Sequence, residues 1–183
     1  MLVTKLKPLD EIFSLVQKKT VLICCEGCRD VHSPDDRAIA TLRGLLFSRT
    51  DLSFVVTSYV CYREHLELLI QNNASIIDDA DVILVLSCGA GVQTIADFVS
   101  CPVYSICDTI SLPGYQGLTP SEFNCIGCES CHLNKTASIC PVTSCVKGLV
   151  NGACGGAKNG MCEVDVSIEC GWVRIFERVE SRK

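Results

Sequence analysis

Runs of basic residues are missing from this sequence. Charged residues make up only 20% of the 183 residues, and the formal net charge is -5. A nucleic-acid-binding protein needs a basic patch or stripe, so we expect no nucleic-acid partner. No apolar run approaches the roughly 20 residues of a membrane span, and the N-terminal MLVTKLKPLDEIF lacks the basic-then-apolar pattern of a signal peptide. These absences predict a cytoplasmic protein without a membrane span.

Patterns for acid–base or nucleophilic catalysis are also missing. The sequence contains no paired-carboxylate motif and no Ser-His-Asp arrangement, and His65 and His132 have no acid–base partner at a recognisable spacing, which favours surface or packing roles. The turn SCGAGVQT could bind an anion, but it lacks the lysine of a phosphate-binding loop and a full dinucleotide fingerprint. Its glycines are therefore expected to serve close helix–sheet packing or to support Cys88.

Cysteine is the residue that this sequence has in abundance. There are 15 among 183 residues, close to the level of disulfide-rich secreted proteins. An odd number leaves one thiol unpaired, and the signal-peptide pattern is missing. Dense cysteine in a cytoplasmic chain indicates metal binding instead.

The first half of the chain alternates strand and helix patterns. A short amphipathic segment at 9–16 comes first, and helical periods occupy 34–47, the stretch around Leu66 and Leu69, and GVQTIADFV. Strands are predicted at 20–25, 52–60, 82–88 and 103–107. This alternation predicts an α/β domain over residues 1–110. It would be a small open parallel sheet with helices on both faces, Rossmann- or flavodoxin-like.

Four cysteines of this half come at the ends of successive strands. Cys25 and Cys28 follow the first strand, Cys61 follows the second, and Cys88 ends the third. In an open parallel sheet these ends face one crevice, so the sequence predicts a cluster site there, with His32 as an alternative ligand. The alternative is that they are small buried hydrophobes. That alternative is favoured for the cysteines within apolar runs or beside a proline: Cys24, Cys101 and Cys107.

The remaining residues, 111–183, predict a cysteine-rich, metal-cluster-binding subdomain. A connector, SLPGYQGLTPSE, leads into a stretch with few apolar periods, whose own core is too small to fold without metal. Its eight cysteines are Cys125, Cys128, Cys131, Cys140, Cys145, Cys154, Cys162 and Cys170.

The spacing within CIGCESC is C-x-x-C-x-x-C, which is typical of ferredoxins that bind a [4Fe-4S] cluster, and Cys140-Pro141 offers the fourth ligand. Structural zinc also uses C-x-x-C pairs and stays an alternative. Eight thiolates are enough for two four-ligand sites. One cluster with spare thiols, or with a zinc ion, fits as well.

The stretches CIGCESCHLNKTASICPVTSCVKGLVNGACGGAKNGMCEV and ECGWVRIFERV resemble the C-terminal domain associated with methylenetetrahydrofolate reductases. The chain also resembles the separate small iron–sulfur subunit that this reductase has in acetogenic and related anaerobes. The resemblance implies two or three [4Fe-4S] clusters and a larger, flavin-containing catalytic subunit. That partner reduces 5,10-methylene- to 5-methyltetrahydrofolate in the reductive acetyl-CoA pathway.

Carried over to this sequence, the resemblance implies cluster ligands at Cys25, Cys28, Cys61 and Cys88, and at the eight tail cysteines. Where relatives have a third cysteine after the C-x-x-C pair, this chain has His32, which would either replace a ligand and raise the potential or be a bystander. The implied function is non-catalytic: electrons pass from ferredoxin or another redox module to the partner's flavin. Two alternatives remain, a zinc-stabilised scaffold and a self-sufficient enzyme at the strand-end crevice.

Overall fold

The fold is described from a computed structural model over residues 2–28, 36–112 and 124–182. His32, the first residues of the helix predicted at 34–47 and most of the connector lie outside these ranges. The six strands of the described residues are β1 Val3–Leu6, β2 Lys19–Cys25, β3 Asp51–Thr57, β4 Val82–Leu86, β5 Val103–Ser105 and β6 Cys107–Ser111. The helices are α1 Leu9–Ser14, α2 Asp36–Phe47, α3 Arg63–Asn72, α4 Ala74–Ile77, α5 Gly89–Phe98, α6 Pro141–Ser144 and α7 Gly171–Ser181, with a 3-10 turn at Leu133–Lys135.

Four strands form one parallel sheet in the order β3-β2-β4-β5. Every residue of β4 is buried, as expected for a parallel strand that is covered on both faces. The strand order reverses between β2 and β4, which is the flavodoxin-like arrangement, and ligands of such sheets bind at that point, outside the carboxyl ends of the strands. The predicted α/β class is confirmed.

Alternate residues of the strands supply two separate apolar layers. Val21 and Ile23 of β2 point into a core completed by α3, α4 and α5. Their neighbours Leu22 and Cys24 point to the opposite face, where α1 and α2 cover them. This alternation is what a period of two residues requires of a strand.

The strand predicted at 103–107 is present as β5, but it ends earlier than predicted, at Ser105, because the chain changes partner there and continues as β6. Ile106 is the point of change: its N–H donates to the carbonyl of Val85 at 3.1 Å, and its own carbonyl accepts the N–H of Lys7 at 3.0 Å. After it, β6 pairs antiparallel with β1, a strand that the sequence did not predict. The strands predicted to run to 60 and 88 also end earlier, at Thr57 and Leu86, and α5 begins at Gly89.

The cysteine-rich tail packs on the edge strand β5. The side chain of Asn134 pairs with the backbone of Ser105 in both directions, at 2.8 and 2.9 Å, and Ser138 donates to the carbonyl of Val103. Leu133 completes the core of the α3–α5 face. The tail has a small core of its own, formed around Ile139, Cys170, Trp172 and Ile175. The predicted boundary after residue 110 stays a prediction, and β6 runs across it.

Within the described ranges, no helix is both long and apolar enough to cross a bilayer.

Candidate metal centres

The strand-end cysteines come together at the point where the strand order reverses. Cys25 ends β2, and Cys88 lies directly before α5. Burial, with smaller contributions from the neighbouring Cys25 and Cys28, raises the pKa of Cys61 to about 11. Burial likewise raises the pKa of Cys88, with smaller contributions from the neighbouring thiols of Cys125, Cys61 and Cys25. These thiols stay protonated at neutral pH unless a cation compensates their charge, and a bound metal supplies that compensation.

The first turn of α5 brings a further cysteine to this place. A Cβ atom on Gly89 would lie 3.0 Å from Sγ of Cys125, so glycine lets that sulfur approach the helix. Cys125 is buried together with Cys61 and Ala90, and Cys88 packs against them. The positive end of the helix dipole favours thiolate at this position. The glycines therefore support the Cys88 region, as the sequence predicts.

Two tyrosines flank Cys61, and sequence reasoning missed them. Tyr59 has a left-handed backbone with a φ of 54°, which is uncommon outside glycine. A Cβ on Gly27 would lie 2.5 Å from the backbone nitrogen of Tyr59, so the loop that carries Cys28 packs directly on the turn before Cys61. Tyr62 contacts Tyr59 edge-on, with ring centroids 5.8 Å apart. The signal was present in the sequence YVCY.

A second group is formed by cysteines of the C-x-x-C-x-x-C run and by Cys140. Cys131 and Cys140 both pack against the core of the α3–α5 face. The charge of Cys125 raises the pKa of Cys131, and the charge of Cys140 raises that of Cys125, in each case less than burial does. Cys128 is exposed, so its place in this group depends on its spacing in the sequence.

Hydrogen-bond donors surround the sulfur of Cys125. The backbone N–H groups of Gly127 and Gly89 and the hydroxyl of Thr109 oppose the rise that burial causes in its pKa. Donors to sulfur stabilise thiolate and tune the potential of a cluster bound to it. The described residues around Cys125 therefore suit a metal-bound thiolate.

Gln93 of α5 holds this second group in place, and sequence reasoning missed it. Its amide oxygen accepts the N–H of Cys140 at 2.8 Å, and its amide nitrogen donates to the carbonyls of Gly89 and Asn124 at 3.1 and 3.0 Å. Only 2% of Gln93 is exposed. A glutamine in the middle of an apolar helix was the available signal.

A third group lines one cavity next to α7. The four cysteines in its wall are Cys145, Cys154, Cys162 and Cys170. Glu163 also lines the cavity, accepting hydrogen bonds from Lys147 and from the thiol of Cys154. Trp172 completes the wall and donates to the carbonyl of Leu149 at 2.9 Å.

The donor set of this third group, four thiols, suits either zinc or an iron–sulfur cluster. The cavity measures about 10 Å³, close to the room that one water needs, so a cubane requires the surrounding loops to open. These loops contain Gly148, Gly152, Gly155 and Gly160, all with left-handed backbones and with no atom near an added Cβ.

None of the fifteen cysteines, all of which lie in the described ranges, forms a disulfide bond. Three of them lie outside the groups, with Cys24 and Cys107 buried on the α1–α2 face and Cys101 packed on the other face. In the described part of the chain, no three Cys, His, Asp or Glu side chains stand close enough to hold a single metal ion. The metal centres therefore stay predictions.

A sequence model of the family described as "Methylene-tetrahydrofolate reductase C terminal" matches residues 104–183, which include all eight tail cysteines. No curated protein matches the chain, and no solved structure matches it. The match agrees with the resemblance over the tail and does not address iron or sulfide. From β5 onward, this chain is similar to the C-terminal region of methylenetetrahydrofolate reductases.

Proposed function

We propose that this chain is the iron–sulfur electron-transfer subunit of a methylenetetrahydrofolate reductase complex. The observation that carries the proposal is the family match over residues 104–183, which include eight of the twelve candidate cysteines. We assign the twelve to three sets of four. The strand-end set is Cys25, Cys28, Cys61 and Cys88. The second set is Cys125, Cys128, Cys131 and Cys140, and the third is Cys145, Cys154, Cys162 and Cys170.

Each set has the four thiolates that one [4Fe-4S] cluster requires. A cubane binds each thiolate through a different iron, so the sulfurs stand further apart than around one zinc ion, where Zn–S bonds are about 2.3 Å. The spacing of the bound sulfurs therefore distinguishes a cluster from a zinc ion. When bound, such clusters would supply one-electron transfer at low potential.

In the fold, the first set lies next to the second, and the second lies next to the third. Cys88 of the first packs against the buried Cys125 of the second. Cys140 of the second and Cys145 of the third are the two caps of α6. A helix rises about 1.5 Å per residue, so about 7.5 Å of helix axis separates these two caps. Adjoining sites are what electron transfer through one small subunit needs.

In this proposal the chain binds the clusters, shields them from water and orients them toward the electron donor and acceptor. Burial at Cys61, Cys88 and Cys125 keeps water from the sulfurs. The proposed donor is ferredoxin or another redox module, and the acceptor is the flavin of the catalytic subunit. There, 5,10-methylenetetrahydrofolate would take up two electrons and two protons to become the 5-methyl form. The chain alone reduces no folate.

Metal analysis of anaerobically purified protein tests this proposal. We expect about twelve iron and twelve sulfide per chain, four for each cubane. Cys162→Ser should lose about four of each, whereas Cys101→Ser, a cysteine outside the sets, should lose none. Zinc with negligible iron, or folate reduction by the isolated chain, would contradict the proposal.

A zinc-stabilised scaffold is the second candidate, and the small cavity of the third set favours it there. Zinc at that set alone gives about eight iron and one zinc per chain. This mixed result would keep electron transfer at the first two sets and make the third set structural.

A further inference from the structure

Lys7 is a buried lysine that directly follows β1, and its side chain reaches Asp108 of β6. It is 7% exposed, and its Nζ lies 3.0 Å from Oδ1 of Asp108 and 3.2 Å from Oε1 of Glu11. Burying an ammonium group is unfavourable unless it is paired and hydrogen-bonded. Both carboxylates meet that requirement, and one of them extends the contact to the cysteine-rich tail.

Asp108 connects this pair to a proposed ligand. The same Oδ1 atom that faces Lys7 accepts the backbone N–H of Cys131 at 2.9 Å. Burial raises the pKa of Cys131 to about 12, while the charge of Lys7 lowers it and that of Asp108 raises it. Both charges therefore act on this sulfur across a partly desolvated space.

A positive and a negative charge near a redox centre shift its reduction potential in opposite directions. Reduction adds one negative charge to the centre, so a nearby cation stabilises the reduced form and a nearby carboxylate stabilises the oxidised form. The effect is larger in a buried site than in water, because the effective dielectric constant is lower.

We propose that Lys7 and Asp108 set the reduction potential of the cluster bound through Cys131, with Lys7 raising it and Asp108 lowering it. This inference rests on the proposed function. Neither residue binds the cluster itself. Both act on it through the charge that they place beside Cys131. A purely structural clamp between the ribbon and the tail is the competing explanation.

The test is an anaerobic redox titration of the full chain, followed by electron paramagnetic resonance of the reduced clusters. In Lys7→Gln, the ratio of reduced to oxidised cluster at a fixed potential should fall about tenfold for one wave, a shift of about 59 mV for one electron. In Asp108→Asn, whose amide oxygen still accepts the N–H of Cys131, the same wave should move the opposite way. The double variant should lie between the two.

Lys19→Gln is the matched control. Lys19 pairs with Asp79 and lies at the other end of β2 from Cys25, so the loss of its charge should leave every wave in place. If the Lys7→Gln variant loses its iron, the Glu11→Gln variant tests the inference instead. That carboxylate is 40% exposed and contacts Lys7 from α1, and its loss should raise the potential of the same wave.

Unchanged waves in iron-loaded variants would overturn the inference, and so would shifts of the same sign in Lys7→Gln and Asp108→Asn, because a structural disturbance does not follow charge. An unchanged wave in Glu11→Gln, where that variant decides, overturns it too. Absence of iron from the wild-type protein would instead refute the proposed function, and this inference with it.

Discussion

A single methyl group added at Gly91 should disturb the strand-end site. Gly91 is the third residue of α5, and a Cβ there would lie 2.6 Å from Cγ2 of Val60 and 2.7 Å from Oγ of Ser87. Val60 is 2% exposed, and it immediately precedes Cys61. Ser87 donates to the carbonyl of Cys88 at 2.9 Å. Both neighbours are buried, so Gly91→Ala must displace the side chain of Val60 or Ser87 beside two proposed ligands.

The expected loss of stability follows from two opposing contributions to the free energy of unfolding. Overpacking a well-packed core lowers the free energy of unfolding by about 1–3 kcal/mol, while exchange of glycine for alanine in a helix raises it by up to about 1 kcal/mol. We therefore expect a net loss of about 1–2 kcal/mol, or a fall in Tm of about 2–8 °C for a chain of this size. Iron content should fall as well, because Cys61 and Cys88 move with their neighbours.

Gly44→Ala is the matched control, since it makes the same chemical change in α2 where an added Cβ contacts nothing. Only the gain in helix propensity remains there, so Tm should rise by about 1–4 °C. Thermal unfolding of anaerobic protein, followed by circular dichroism, measures both variants. Midpoints are compared rather than free energies, because metal-containing proteins depart from two-state unfolding. If Gly91→Ala melts no lower than wild type and keeps its iron, the described packing of α5 is refuted.

Three further outcomes are expected. Burial raises the pKa of Cys101 above that of an ordinary thiol. Iodoacetamide labelling followed by mass spectrometry should therefore show a half-maximal rate at a higher pH than for a free cysteine thiol, and an unshifted midpoint would count against a buried thiol. Removal of metal should shift the emission of Trp172, the one tryptophan, to longer wavelength, because it lines the third cavity; unchanged emission would mean that this cavity holds no metal. Gln93→Leu should lower Tm and iron content, because it leaves the N–H of Cys140 without its acceptor, at a loss of about 1–3 kcal/mol. Gln71→Leu on the exposed side of α3 should change neither, and equal effects of the two would refute this role of Gln93.

The parallel sheet could be predicted from the sequence because its strands are short apolar runs that alternate with helical periods. β4 is the clearest case, since a run of five buried residues has no other simple explanation. The β1–β6 ribbon could not be predicted in this way. Val3–Leu6 is only four residues long and lacks a clean alternation, and its partner lies about a hundred positions away. Nothing in the sequence around Ile106 indicates that the chain changes its strand partner there.

The candidate site was predictable in part. The ends of parallel strands share one edge, so topology alone brings Cys25, Cys61 and Cys88 together. The position of Cys125 beside Cys88 depends on how the tail folds back onto α5, which spacing along the chain does not encode. For the same reason Lys7, a lysine near the start of the sequence, gave no indication of its contact with Asp108.

The β1–β6 ribbon also has a consequence for the order of assembly. The four parallel strands are complete once Val103–Ser105 has been synthesised, but β1 has no partner until β6 follows, and pairings between such distant segments form slowly. During translation, β1 is therefore made long before its partner, because about a hundred residues separate the two strands. Their pairing brings Lys7 to Asp108 and joins the start of the chain to the segment that leads into the cysteine-rich tail. The ribbon therefore closes only after the strands of the parallel sheet have been made.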